Sequence, residues 1–306
     1  MPRKRIRPSQ VGNRPSAVQA FSVKEFFAEF SSDDVCLTRI MEVRYGLRHV
    51  CGKCGKDSTF HKLANERAFS CSHCGNHVHP TAGTIFQDSR TPLQSWFYAI
   101  YLFIATRHGV SGKELQRQLG VTYKTAWRMG QQIRDLMTKA DGFEMLKGHV
   151  ELDETYYGGK RTRAEGGKDA KTIIMGLKER GGRVETKVIP NVKKVTLRGV
   201  VLDHVERGST VSTDELSSYN LLKGDGYVHG AVDHSRKEWA WTDHRTGTKF
   251  STNSVESFWK IFKDSINGTH IHISAKHLDR YLGEFSFRSN HRQMGNAMFD
   301  LLIAAL

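Results

Sequence analysis

Two pairs of cysteines constrain the fold of this 306-residue chain more than any other feature of its sequence. The pairs are Cys51-Gly-Lys-Cys54 and Cys71-Ser-His-Cys74, and sixteen residues separate them. Two CxxC knuckles at this spacing are typical of a zinc ribbon, in which four thiolates hold one ion and close its coordination shell. The pattern therefore predicts a structural zinc site, although buried cysteines with a coincidental spacing would look the same. Cys36 stands apart and is predicted to be a packed apolar residue.

The charge of the chain points to a polyanionic partner. The sequence contains 46 Lys and Arg against 32 Asp and Glu, which gives a formal net charge of +14. This excess is spread along the chain and favours nucleic acid as the partner, because neutralised phosphates release their counterions. A basic arm that could lie on DNA precedes the first predicted helix and comprises Arg3, Lys4, Arg5 and Arg7.

The sequence offers no segment that would carry the chain into or across a membrane. The N-terminal charges are not followed by the apolar stretch of a secretory signal. The most apolar run, residues 96–105, is shorter than the ~20 residues that a bilayer requires and predicts a buried helix. Five cysteines, four of them in close pairs, fit metal ligation in a reducing compartment better than a disulfide framework. We therefore expect a cytoplasmic protein with no membrane association.

Shifts in the residue pattern predict a multidomain fold. We expect a basic arm and N-terminal helix over residues 1–48, a zinc ribbon over 49–90, a helical region over 91–145, and an α/β domain over 146–306. A chain of 306 residues has room for two or three compact units of about 100–200 residues each. The basis for the last region is a change from helical periodicity to short β-branched runs.

The α/β region begins with strands and ends with helices. The predicted strands, which are separated by glycine-rich turns, cover residues 149–153, 172–177, 198–202, 210–212 and 228–232. After these the periodicity becomes helical, over residues 253–266 and 276–287. Strands followed by helices indicate a mixed sheet with flanking helices.

Residues 111–134 have the pattern of two helices joined by a tight turn. Gly120 supplies the turn and Thr122 begins the second helix. This is the spacing of a helix-turn-helix, in which Lys124 and Arg128 would lie on the N-terminal part of the second helix, where DNA contacts are made. Helical hairpins that bind nothing are common, but in a basic chain beside a zinc ribbon we favour DNA binding.

Three acidic residues are placed where a metal site can form. Asp153 follows the apolar start of a predicted strand, Asp214 ends another, and Glu256 lies on a predicted helix. The helix presents four polar residues on one face, opposite its apolar stripe: Asn253, Glu256, Lys260 and Lys263. Carboxylates a few ångströms apart raise one another's pKa, and a pair of Mg²⁺ ions would relieve this repulsion and could hold the oxygens of a phosphoryl transfer. The spacing alone also allows ordinary surface or capping roles for all three, with Glu256 and Lys260 as a solvated pair.

Four segments resemble a known group, the bacterial insertion-sequence transposases that carry an N-terminal zinc ribbon and a DDE-type, RNase-H-like catalytic domain and are related to the eukaryotic Merlin elements. The segments are ELDETYYGGK at 151–160, STDELSSY at 212–219, NSVESFWKIFK at 253–263 and HLDRYLGEFSFRSNHR at 277–292. The resemblance extends over roughly residues 20–306. It implies an RNase-H-like fold for the α/β region and two catalytic Mg²⁺ or Mn²⁺ ions.

The resemblance also implies roles for individual residues. Asp153 and Asp214 correspond to the two catalytic aspartates and Glu256 to the acid on the helix. Lys263, seven residues after Glu256, matches a basic residue that contacts donor DNA, and Lys260 on the same face is expected to contact DNA as well.

The third acidic position has an alternative. Members of the group carry either Asn or Glu there, and Asn253 with Lys260 repeats the seven-residue spacing of Glu256 with Lys263. We favour Glu256 because a carboxylate binds Mg²⁺ more strongly than an amide does.

The function implied by the resemblance is transposition. The enzyme would cut DNA at the transposon ends and join each freed 3′-hydroxyl to target DNA, so its partners would be the terminal repeats, the target and further copies of itself in a homo-oligomer on DNA. Three alternatives remain at this point: a non-catalytic DNA-binding relic, an RNase-H-like nuclease that cuts without joining, and a scaffold that uses its zinc ribbon to bind protein.

Overall fold

A computed structural model describes residues 22–158, 171–236 and 238–306, so the predicted basic arm lies outside the described residues. The helices are α1 (Val23–Glu29), α2 (Asp33–Arg44), α3 (Leu93–Ala105), α4 (Gly112–Leu119), α5 (Tyr123–Asp141), α6 (Lys194–His204), α7 (Asn253–Ser265), α8 (Leu278–His291) and α9 (Ala297–Ala304). The strands are β1 (Arg48–Val50), β2 (Asp57–Lys62), β3 (Phe69–Cys71), β4 (His77–Val78), β5 (His149–Tyr157), β6 (Thr172–Glu179), β7 (Val184–Ile189), β8 (Thr210–Asp214), β9 (Val228–Val232), β10 (Ala240–Asp243) and β11 (Thr248–Ser251).

The cysteine segment forms a small antiparallel sheet in the order β1-β2-β3-β4. Each cysteine pair lies in a turn that a glycine closes. Gly55 donates its backbone N–H to the carbonyl of Cys51 at 2.8 Å, and Gly75 does the same to Cys71 at 3.0 Å. Both glycines have a φ of 70°, a left-handed conformation that other residues rarely adopt, so glycine is what allows the knuckles to turn this tightly.

The apolar run near residue 100 is a buried helix, as predicted. Helix α3 buries Trp96, Phe97 and Phe103 completely, and these residues form one core with α1, α2, the ribbon and the C-terminal helix α9. An ion pair between Arg39 and Asp300, 2.5 Å long, links α2 to α9 at the surface. Within the described ranges, no helix combines the length and the apolar character that a membrane span requires.

Helices α4 and α5 form over the residues predicted for a helical pair. Ser111 caps α4 by accepting from the backbone N–H of Glu114, and Gly120 ends it in the left-handed conformation with a φ of 63°. Thr122 then caps α5 by accepting from the N–H of Thr125 at 3.3 Å. These local signals explain why the turn falls where the sequence indicates.

A buried charge network joins α5 to α8. The carboxylate of Glu284 accepts from Arg134 Nε at 2.8 Å and from an Arg288 guanidinium nitrogen at 3.2 Å, and Glu284 has no exposed surface. Gly283 allows the two helices to approach closely, since a Cβ there would lie 1.9 Å from Thr138 Oγ1. A buried carboxylate requires such partners, so the helical region is fixed against the α/β region.

The α/β region contains a five-stranded mixed sheet in the order β7-β6-β5-β8-β9. Strand β5 pairs antiparallel with β6 and parallel with β8; β7 is antiparallel to β6 and β9 is parallel to β8. Helix α6 packs on one face of the sheet, and α7 and α8 pack on the other. This mixed sheet with flanking helices was predicted, and it is consistent with the RNase-H-like domain that the resemblance implies.

One predicted strand is wrong. Residues 198–202 belong to helix α6, in which Leu197 and Val201 lie one turn apart and are both fully buried against the sheet. The β-branched residues favoured a strand locally, but burial of one helical face overrides that propensity.

Candidate active site and zinc ribbon

Parallel pairing of β5 with β8 brings two predicted site residues together. The register places Glu151 opposite Ser212. Two residues further along each strand, on the same face of the sheet, are Asp153 and Asp214. The two aspartates therefore lie side by side where β8 ends.

Helix α7 lies across the same face and carries the predicted third acid. Its apolar stripe is buried against the sheet and comprises Val255, Trp259, Phe262 and Ile266. Gly176, which pairs with Asp153 across β5 and β6, permits this contact, because a Cβ there would lie 2.5 Å from the Trp259 ring. Packing of the stripe leaves Glu256 partly exposed and Asn253, Lys260 and Lys263 exposed along the other side of the helix.

The carboxyl of Asp153 interacts electrostatically with the charged side chains around it. The pKa of the Asp153 carboxyl is raised to about 6, first by burial and then by the negative charges of Asp214 and Glu256, whereas the Lys263 ammonium opposes the rise. Repulsion of this kind is what a bound cation would relieve. The arrangement thus brings Asp153, Asp214, Glu256 and Lys263 into one electrostatic unit.

A fourth carboxylate adjoins this unit. Glu154, next to Asp153 on β5, accepts a hydrogen bond from the hydroxyl of the buried Tyr219. The pKa of the Glu154 carboxyl is raised to about 7, mainly by burial and also by the charges of Asp214 and Asp153, while the hydrogen bond from Tyr219 opposes the rise. Glu154 is therefore a further buried carboxyl beside the two aspartates, and the sequence analysis assigned it no role.

The carboxylate of Glu256 has two polar neighbours. Thr252 donates its hydroxyl to Glu256 Oε1 at 2.7 Å, and the Nε2 atom of His234 lies 3.4 Å from the same oxygen. A second contact, 3.2 Å between His234 Nε2 and Thr252 Oγ1, closes this triangle. These contacts orient Glu256, whereas Asn253 occupies the exposed first position of the helix.

The four ribbon cysteines form a compact group of candidate metal ligands. Their donor atoms all lie within 4.8 Å of one another. Among the residues that the structure describes, no second group of three or more candidate ligands lies so close together.

The ribbon cysteines have the geometry of a tetrahedral zinc site. The Sγ atoms of Cys51 and Cys74, one from each pair, lie 3.8 Å apart. Two thiolates that are each about 2.3 Å from a tetrahedrally coordinated zinc ion would be separated by ~3.8 Å. The donor set thus fits zinc, and four thiolates leave no open position for catalysis.

The residues predicted to contact DNA through the helical pair are accessible. Lys124 and Arg128 are exposed on the first turns of α5, and the exposed rings of Tyr123 and Trp127 alternate with them. Lys113 of α4 holds its ammonium 4.9 Å from the centre of the Tyr123 ring. The pair therefore presents a basic and aromatic surface.

The cysteine segment and the α/β region each match a known protein family. Residues 145–290 match the ISXO2-like transposase domain, and residues 31–77 match the transposase zinc-ribbon domain. An uncharacterised protein of the transposable element ISH50 from Halobacterium salinarum is 26% identical, over 85% of this chain and 91% of the relative. An uncharacterised transposase-like protein of Haemophilus influenzae is 29% identical over 115 residues, which is 37% of this chain and 85% of the relative. The chain therefore combines a transposase zinc-ribbon domain with an ISXO2-like transposase domain.

Proposed function

We propose that this transposase is catalytically competent and uses Asp153, Asp214 and Glu256 to bind two Mg²⁺ or Mn²⁺ ions. The observation that carries the proposal is the meeting of the three acids beside the end of β8, where Asp153 and Asp214 lie on neighbouring parallel strands and Asp214 and Glu256 raise the pKa of Asp153. Hard divalent cations prefer oxygen ligands, and carboxylates bring the charge that such ions need. When bound, the ions would activate the attacking oxygen and neutralise charge on the phosphate.

The reaction has two phosphoryl transfers. In the first, water attacks a phosphodiester at the transposon end, and the bond between phosphorus and the 3′ oxygen breaks to leave a 3′-hydroxyl. In the second, that hydroxyl attacks a phosphodiester of target DNA. A new bond from its oxygen to phosphorus forms, and the target's own bond between phosphorus and the 3′ oxygen breaks to leave a 3′-hydroxyl. Asp153, Asp214 and Glu256 would hold the ions, and the contacts of Thr252 and His234 with Glu256 fix the position of its carboxylate.

Two basic surfaces supply DNA contacts in this proposal. Lys260 and Lys263 lie on α7 beside the acids, where they would bind phosphates of the strand being cut. Lys124 and Arg128 lie at the start of α5, the position from which a helix-turn-helix reaches a DNA groove. The same proposal divides the chain into a zinc ribbon, a helix-turn-helix and a catalytic region. It also includes the assembly of several copies of the chain on paired DNA ends.

The helical pair can be tested by salt dependence. We expect the double variant Lys124→Ala/Arg128→Ala to lower the slope of log affinity against log salt by about two, since each phosphate contact contributes about one. Fluorescence anisotropy with a labelled terminal repeat measures this slope. The control is Lys194→Ala, which should leave the slope unchanged, because Lys194 is an exposed lysine of α6 and belongs to neither basic surface. A double variant with the wild-type slope would remove α5 from the DNA interface.

The function itself is tested with labelled DNA that carries the repeats flanking the gene. We expect wild-type protein to nick the repeat ends and join them to target DNA with Mg²⁺ but not with EDTA. Glu256→Ala should abolish both products, and Asn253→Ala should retain them. Loss in Asn253→Ala alone would move the third ligand to Asn253. Nicking without joined products would instead identify a nuclease, and failure of the wild type to cut with Mg²⁺ or Mn²⁺ would leave a DNA-binding relic.

A further inference from the structure

A buried carboxylate lies next to the proposed active site without being part of it. Glu151 precedes Asp153 by two residues on β5 and shares its face of the sheet, yet Glu151 has no exposed surface. A side chain with no exposed surface cannot contact solvent or DNA. For the same reason, Glu151 cannot bind a metal ion that is also in contact with DNA. A buried carboxylate is costly unless hydrogen bonds and opposite charge compensate it, so its partners indicate what it does.

Those partners belong to the first turn of helix α7. Glu151 Oε2 accepts from the backbone N–H of Ser254 at 2.6 Å and from that of Val255 at 3.2 Å. Glu151 Oε1 accepts from the Ser254 hydroxyl at 3.2 Å. The first N–H groups of a helix have no partner within the helix, and a negative charge at this end is favourable. Glu151 therefore caps α7 from a different element of the fold.

The residue that would normally cap α7 has another contact. The side chain of Thr252, at the N-cap position, accepts no capping hydrogen bond from the backbone N–H groups of the helix. Its hydroxyl instead donates to the Glu256 carboxylate at 2.7 Å. Capping by Glu151 leaves Thr252 available to orient Glu256.

An arginine completes the attachment. Arg180 lies just after β6, and its Nε atom is 3.0 Å from Glu151 Oε1. The same guanidinium donates to the carbonyl of Lys249 at 2.7 Å and to the Ser251 hydroxyl at 3.0 Å, both on β11, the strand that leads into α7. The start of α7 is thereby held against β5 by an ion pair as well as by its own amides.

We propose that Glu151 is the positioning residue of the active site, which sets the place of Glu256 relative to Asp153. The inference rests on the proposed function, because it concerns the same three acids. One strand carries both Asp153 and Glu151, so the cap fixes α7 directly to the strand that bears the first aspartate. Outer residues that orient metal ligands typically change metal affinity or activity by about 10–100-fold when they are replaced.

The decisive variant is Glu151→Gln, which keeps the shape but loses the charge and one acceptor oxygen. The matched control is Glu284→Gln, since Glu284 is also fully buried and paired with arginines but contacts α5 and α8 instead of α7. Three quantities are compared: amide hydrogen exchange of residues 253–256, Mn²⁺ binding to DNA-free protein by electron paramagnetic resonance, and the single-turnover rate of end cleavage at saturating DNA.

We expect Glu151→Gln to speed exchange at Ser254 and Val255, to weaken Mn²⁺ binding by about 10–100-fold and to slow cleavage by a similar factor, with unchanged affinity for the DNA ends. Glu284→Gln should lower the melting temperature without these three effects. Wild-type exchange at both amides in Glu151→Gln, or equal Mn²⁺ affinity in the two variants, would overturn the proposal. A wild-type protein that cuts no DNA would refute the proposed function, while exchange and Mn²⁺ binding would still decide the role of Glu151.

Discussion

Replacement of Asp153 by asparagine is expected to reduce Mg²⁺-dependent cleavage and strand joining by at least about a thousandfold. Stabilisation of transition-state charge by metal ions is worth several kcal/mol, and about 4 kcal/mol corresponds to this factor. Asp153 is the acid whose pKa is raised by burial and by both other acids, so its carboxylate is central to the cluster. Asparagine keeps the size of the side chain but removes the charge that would hold the ions.

Binding of the terminal repeats should survive this change, since the proposed DNA contacts lie on Lys260, Lys263 and the start of α5. Rates are measured on labelled repeat DNA, and affinity by anisotropy without metal. Asp203→Asn is the matched control, because Asp203 is exposed on α6 on the opposite face of the sheet. Cleavage by Asp153→Asn at a rate close to that of the control would exclude Asp153 as a metal ligand.

Local pattern was sufficient to locate most of the elements that carry the site. The apolar stripe of α7 was visible at helical spacing, and its burial follows directly from that spacing. The cysteine pairs required only their spacing, because a CxxC knuckle is formed by local turns. Strands β5, β8 and β9 could be recognised from β-branched runs, although β5 extends to Tyr157, beyond its predicted end.

Elements whose pattern is weak or contradictory were missed. Strand β7 at the edge of the sheet reads VETKVI, with two exposed positions in succession, so it lacks clear alternation. The hairpin of β10 and β11 is short, and the stacked rings of Trp241 and Phe250 that accompany it come from different strands. Helix α6 was misassigned because the contact that decides it, with β5 and β6, is not local.

The contacts between the residues of the site were harder to predict than the identity of those residues. The motif around Asp153 includes Glu151, and the alternation of a strand places both on one face. The partner of Glu151, however, is Ser254, which lies 103 residues further along the chain. No local sequence pattern predicts that a helix is capped by a residue so distant in sequence. Sequence therefore indicates which residues carry charge, whereas the fold determines which of those charges bind a metal and which hold a helix.

The zinc ribbon should depend on its ion for folding. We expect Cys51→Ser to abolish stoichiometric zinc and to unfold the ribbon, because metal binding contributes about 10–16 kcal/mol to the folding of small structural zinc sites. Cys51 is fully buried within the core that also contains α2 and α3, so the loss should spread to that core. Zinc content by mass spectrometry and hydrogen exchange of residues 48–78 measure the two effects.

Cys36→Ser is the matched control, since Cys36 is equally buried in the same core but is not among the four clustered cysteines. It should lower the free energy of unfolding by an amount typical of burying a hydroxyl, about 1–3 kcal/mol, and retain one zinc per chain. If the ribbon is a DNA-binding element, Cys51→Ser should also weaken binding to the terminal repeat, whereas Cys36→Ser should not. A Cys51→Ser protein that keeps a full complement of zinc and the wild-type exchange pattern would show that the four thiols are not its ligands, and the role of the ribbon would have to be sought in the packing of its apolar residues alone.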